Sequence, residues 1–181
     1  MNEKDIFSLL LRGFTSDLLT VLLSAILPML VGVGLTVLMH FTRKTALPKV
    51  FRYVAIVTES LVPAAVLYVL FYVVLASFQQ ADLPVVVTLN ICFMGYMAFH
   101  YDERDSLLKN IVVNAMGLII KLYLWCVAVS GMLGATGLLR SAQMIMWSTY
   151  KSTYFLVPLL VSFGVLFVLH ILRQLCKDFM K

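Results

Sequence analysis

Apolar residues run through this chain in long stretches, and polar residues gather in the gaps between them. The stretches fall at about 18–41, 53–78, 85–100, 111–133 and 153–175. A helix crosses the bilayer hydrocarbon with about 20 apolar residues, at a rise of about 1.5 Å each. The third stretch is the shortest, and the others all exceed that length. The pattern predicts an all-α polytopic membrane protein with five transmembrane helices. Pro28, Pro63 and Pro158 lie inside spans, where proline is tolerated in a membrane bundle and can act as a flex point.

Residues 1–17 are too charged to cross, with Glu3, Lys4 and Arg12 opposite a face of Ile6, Leu9, Leu10 and Phe14. They predict a short interfacial helix ahead of a single five-helix domain over 18–181. The following run is too long for a signal peptide and no small-residue cleavage site ends it. A second interfacial helix is expected over 134–152, which opens on glycines and ends near Trp147 and Tyr150. Those aromatics are favoured at headgroup depth.

Composition agrees with lipid as the solvent. The chain is 62% hydrophobic and 13% charged, with a mean hydropathy of +0.98; soluble domains are about 45–50% apolar and about 25% charged. The net charge of +5 is spread over the ends of the apolar runs rather than massed in a stripe, which excludes nucleic acid as a partner. Arg43, Lys44, Lys49, Arg52, Arg104, Lys109, Arg173, Lys177 and Lys181 mark one set of ends; Lys4, Arg12, Arg140 and Lys151 mark the other. The richer set is expected in the cytoplasm, placing the N-terminus outside and the C-terminus inside.

Charges inside the spans are the candidate functional residues, because each costs roughly 2.5–3.5 kcal/mol at the bilayer centre on the insertion scale. Lys121 lies about 16 Å into the fourth span and Glu59 about 10 Å into the second. They could pair across helices, line a polar path, or reach opposite interfaces separately. Asn90 and Asn114 join them as path residues or interhelical hydrogen bonders. His40, His100 and His170 fall at the same end of three spans; haem needs facing histidines in an apolar pocket and a metal site usually recruits carboxylates or outer partners, so ordinary interfacial histidines are the plainer reading. Neither a metal nor a cofactor is expected. Cys92, Cys126 and Cys176 are far apart and read as small core hydrophobes. Gly-x-Ser-x-Gly, His-Glu-x-x-His and Walker-loop motifs are all absent. An enzyme is not expected, and any ATP-driven work would need an ATPase on another chain.

The order of segments resembles the membrane subunit of polar-amino-acid ABC transporters. Tyr53 through Pro63, with the run AAVLYVLFYVV after it, is similar to that family's Tyr…Pro-Leu-Leu helix. Asn114 and Lys121 match its Asn-x6-Lys spacing, and the segment from Gly134 through Arg140 to Ala142 and Gln143 resembles its periplasmic Ile-Gly-Val-x-Glu-Leu-x-x-x-Ala-Gln. The closing HILRQLCKDFMK looks like its basic amphipathic end. Four features depart from the family, one of them a distance from Lys121 to the periplasmic segment about a turn longer than the family's. The loop YDERDSLLKN lacks the Glu-Ala-Ala…Gly coupling motif, Ser60-Leu61-Val62 replaces Arg-Gly-Thr, and Gly137 replaces the periplasmic glutamate. The resemblance implies a permease of the bacterial inner membrane for amino-acid-like solutes, working by alternating access beside a second copy or sister subunit. It further implies a cytoplasmic ATP-binding-cassette ATPase and a periplasmic solute-binding protein as partners. Glu59, Lys121 and Asn114 would line or gate the path, and Asp102, Glu103, Arg104 and Asp105 would meet the ATPase. The alternative is a non-transporting structural or regulatory subunit of a larger membrane complex. A green fluorescent protein fused at the C-terminus is expected to fluoresce inside the cell; an active alkaline phosphatase fused there would reverse the orientation.

Overall fold

Helix α1 (Glu3–Phe41) is the element around which the others gather. Its buried positions include Gly13, Asp17, Val21, Ser24, Ala25, Pro28, Gly32 and Thr36, three or four residues apart and mostly small. Small residues at that spacing let neighbouring helices approach closely. The other faces carry Leu19, Leu22, Ile26 and Leu30, all exposed. Small inside and large outside is the arrangement of a helix solvated by lipid. At 39 residues it extends about 58 Å, and residues 3–17 are continuous in backbone with the first expected span.

The computed structural model describes residues 3–45, 47–60, 82–133 and 137–180, and all regular structure among them is helical. After α1 come α2 (Leu47–Ser60), α3 (Asp82–Phe93) and the single turn α4 (Tyr96–Phe99). A polar loop then leads to α5 (Leu107–Leu133), α6 (Leu138–Thr149), a 3-10 turn (Ser152–Phe155) and α7 (Leu156–Phe179). The second expected span coincides with α2 as far as Ser60; the rest of it, including Pro63, lies outside the described residues.

The third expected span takes the form of α3 and α4, interrupted at Met94 and Gly95. Helix α3 alone extends about 18 Å. Its apolar run serves the protein core: Leu89, Cys92, Phe93, Tyr96 and Met97 pack with Val21 and Ala25 of α1 and with Leu118, Leu122, Tyr123 and Cys126 of α5. A smaller cluster joins Met39, Ala98 and Tyr101 to Leu35, Phe51 and Phe99.

Among the described residues three helices are long and apolar enough to cross a membrane: α1, α5 over Leu107–Ala128, and α7 with its preceding turn, Ser152–Phe179. The last is the most apolar of them, yet only 6% of its richest stretch is buried in the protein. Leu159, Leu160, Phe163 and Phe167 all stand exposed on it. A helix that is apolar all round needs either a protein core or lipid around it, and this one has little protein. The chain is therefore a helical membrane protein. Pro158 falls in the first turn of α7, where backbone N–H groups have no intrahelical partner to lose.

Gly13 of α1 lies hard against the start of α6: an added Cβ would stand 2.5 Å from Ser141 Oγ and 2.7 Å from the Gly137 carbonyl oxygen. Backbone cannot yield as a side-chain tip can. Gly13→Leu is expected to lower stability by about 1–3 kcal/mol, read as a lower midpoint of thermal unfolding in detergent, whereas Gly34→Leu, at a position with open space around it, leaves the midpoint unchanged.

Candidate functional site

Polar groups enter this bundle at three levels. At the first, Asp17 of α1 is 1% exposed. The backbone N–H of Leu138, the first residue of α6, donates to its Oδ2 at 2.9 Å. The Cys126 thiol of α5 donates to the Asp17 carbonyl oxygen at 3.6 Å. A helix N-terminus carries unsatisfied N–H groups and about half a positive charge, so Asp17 caps α6 from another helix. Gly137, at the capping position itself, supplies no side-chain bond.

The second level belongs to Asn90 of α3. Its amide nitrogen donates to the Leu23 carbonyl at 3.3 Å and to the Val86 carbonyl at 2.9 Å. Its amide oxygen accepts from the Leu27 N–H at 3.3 Å. Leu23 and Leu27 are an i, i+4 pair of α1, immediately before Pro28, whose missing N–H leaves the Ser24 carbonyl without its helical donor. Asn90 thus bridges α3 to α1 where the α1 ladder is weakest. The Lys121 ammonium of α5 lies 5.5 Å from the centroid of the Tyr96 ring, close enough for a cation–π attraction of about 0.5–2 kcal/mol.

At the third level two asparagines one turn apart on α5 hold the 100–106 loop. Asn114 donates to the His100 carbonyl at 3.1 Å. Asn110 accepts from the Asp102 N–H and donates to the Asp102 carbonyl, both at 2.8 Å. From the opposite side Arg52 of α2 donates to the Tyr101 carbonyl at 2.8 Å, and the Tyr101 hydroxyl meets His40 Nδ1 at 3.4 Å. Burial and the Glu103 and Asp102 carboxylates push the Tyr101 phenol above its ordinary pKa, while Arg43 pulls the other way. The charged tip of the loop stays outside: Asp102, Glu103 and Arg104 are exposed, and Asp105 pairs with Lys109 at 2.8 Å. Helix α5 begins only at Leu107, so the segment expected to meet an ATPase is a constrained turn.

The chain matches no family model, no curated protein and no solved structure.

The candidates divide by what they touch. Asn90 and Asn114 are engaged with backbone of neighbouring segments, and Lys121 faces Tyr96. Glu59 occupies the penultimate position of α2; its side chain, and with it the pairing with Lys121, lies outside the described residues. The three histidines have separate surroundings: His40 at Tyr101, His170 at its own helix carbonyl of Leu166, and His100 against Tyr96 and Phe99. Among the described residues no three His, Cys, Asp or Glu side chains gather to hold a metal ion. Sequence reasoning missed Asp17, because the apolar run starts one residue later, and it missed Asn110, which looks like ordinary loop polarity. A signal for Asp17 was present in its i, i+4 spacing from Gly13 and Val21.

Replacing Asn90 with leucine removes a bridge of the kind worth on average about 0.6, and at most about 1.7, kcal/mol in membrane bundles. The expected outcome is a small fall in the thermal midpoint with faster amide exchange at Leu27, measured by hydrogen–deuterium exchange; unchanged exchange there would show that Asn90 does not hold α1.

Proposed function

We propose that this chain is the membrane subunit of an ATP-driven transporter for small polar, amino-acid-like solutes in a bacterial inner membrane. In this reading five spans place the N-terminus outside and the C-terminus in the cytoplasm, with α3 and α4 end to end supplying the third crossing. A second copy or sister subunit completes the path, a cytoplasmic ATP-binding-cassette ATPase drives it, and a periplasmic binding protein feeds it. Lys121 carries the argument. Its side chain is half-buried beside Tyr96 within the apolar length of α5, and an intramembrane charge is by default a candidate functional residue. The order of elements gives further support: a polar loop precedes α5, and a short helix separates α5 from α7, as in the family that the sequence resembles. The exposed Asp102, Glu103 and Arg104 offer a rigid charged knob to a partner in the cytoplasm.

One set of observations favours a non-transporting structural or regulatory subunit instead. Asp17, Asn90 and Asn114 all spend their polar atoms on fastening one segment to another. Purification from native membranes in mild detergent separates the readings. The transporter reading expects an ATP-binding-cassette ATPase to co-purify and to be released when Asp102 and Glu103 are changed to lysine. Recovery of other membrane partners with no ATPase would overturn it. Lys121→Met is expected to abolish uptake of a labelled amino-acid mixture with assembly intact; loss of assembly would mark Lys121 as a buried structural charge.

A further inference from the structure

A serine or threonine inside a helix can spend its hydroxyl on the carbonyl four residues back. Thr36 of α1 and Thr149 of α6 do so, each at 2.7 Å. Ser162 of α7 does not, although Pro158 stands four residues before it. Among the described residues its buried Oγ has no hydrogen-bond partner, and the same holds for the Tyr123 hydroxyl of α5. Tyr123 is only 1% exposed. The Ser162 side chain approaches the Tyr123 hydroxyl across the seam between the two helices, yet no hydrogen bond joins them.

Beside the pair lies a crevice of about 400 Å³ between α5, α6 and α7, lined by Val127, Leu139, Phe155, Phe163 and Leu166 together with Ser162. Val127 stands one turn from Tyr123 on the same face of α5. Ligand cavities are of this kind, mostly apolar with a few placed polar groups. The crevice borders the lipid side, since Leu159 and Phe163 on its lining are 64% and 68% exposed. Ser162 lies six residues past the start of α7, about 9 Å along the axis. Trp147 and Tyr150, 59% and 94% exposed, mark the headgroup level ahead of that start. Phospholipid ester carbonyls belong to that interfacial level, and acyl chains carry no acceptor at the depth of Ser162.

We infer that this crevice binds the ring of a lipophilic quinone. A quinone carries its carbonyl acceptors into hydrocarbon. One carbonyl oxygen, with two lone pairs, accepts from both Ser162 and Tyr123, restoring hydrogen bonds that burial denies to the two hydroxyls. The ring packs against Phe155 and Phe163 as aromatic pairs do, and the tail leaves past Leu159 into the bilayer. Water is a poor substitute, because a buried water typically makes about three hydrogen bonds and the rest of this lining is apolar. The inference does not rest on the transporter reading.

The test uses the full chain in phosphatidylcholine nanodiscs. Decylubiquinone is the probe, and decylbenzene, a ring and tail without a carbonyl, is its control. The thermal midpoint is followed as the mole fraction of each compound in the discs rises. Decylubiquinone is expected to raise the wild-type midpoint to a plateau, and decylbenzene to leave it unchanged. Ser162→Ala and Tyr123→Phe should each need about fivefold more quinone for half the rise, the loss of one neutral hydrogen bond. Gly164→Ala, at a place on α7 with open space around it, should respond as the wild type does. No rise with decylubiquinone, an equal rise with decylbenzene, or an unchanged half-point in both hydroxyl variants would each overturn the quinone site.

Discussion

The carboxylate of Asp17 and the N–H of Leu138 join two parts of the chain that are 121 residues apart. An ionised carboxylate taken out of water loses several kcal/mol of hydration, even after the surroundings relax. The first turn of α6 returns part of that through a charge-assisted hydrogen bond and through its macrodipole. In exchange, a short helix with no capping side chain of its own gains a fixed starting point. Gly13 and Ser141 one turn away allow the two backbones to close. Leu138, Ser141, Ala142 and Ile145 of α6 are buried as well, so the hydrogen bond sets where a packed helix begins.

The same logic repeats at the other levels, with different chemistry suited to each depth. In the middle, a neutral amide, Asn90, bridges two helices beside a proline-weakened turn. At the loop end, where water is near, Asn110, Asn114 and Arg52 clamp backbone groups from two sides. The helices contribute small residues and close packing; the polar groups set which turn meets which. Lys121 differs from the rest because it is cationic and lies against a ring, that of Tyr96.

Hydropathy revealed the helical, membrane-embedded character of the chain, and the apolar lengths of α1, α5 and α7 follow from residue order alone. It could not distinguish a helix solvated by lipid from one solvated by protein, since both are apolar on every face. The run around Leu89 to Ala98 shows this: Leu89, Cys92, Phe93, Tyr96, Met97 and Ala98 are core, and the break at Gly95 is invisible to an average over a window. The candidate site was legible as residue types and not as partners. Asn90, Asn114 and Lys121 stood out as polar residues in apolar runs, but their partners are backbone atoms and a ring far away in sequence. Asp17 lies near the end of its run, where charge is ordinary, and only the packing of a second helix makes it unusual.

An Asp17 that anchors α6 to α1 can be read by hydrogen–deuterium exchange across residues 137–149 in nanodiscs. Exchange through the first turn of α6 is expected to be faster in Asp17→Ala than in wild type, with Asp17→Asn in between because an amide oxygen can still accept from Leu138. Equal exchange in α6 of all three proteins would show that Asp17 does not anchor it.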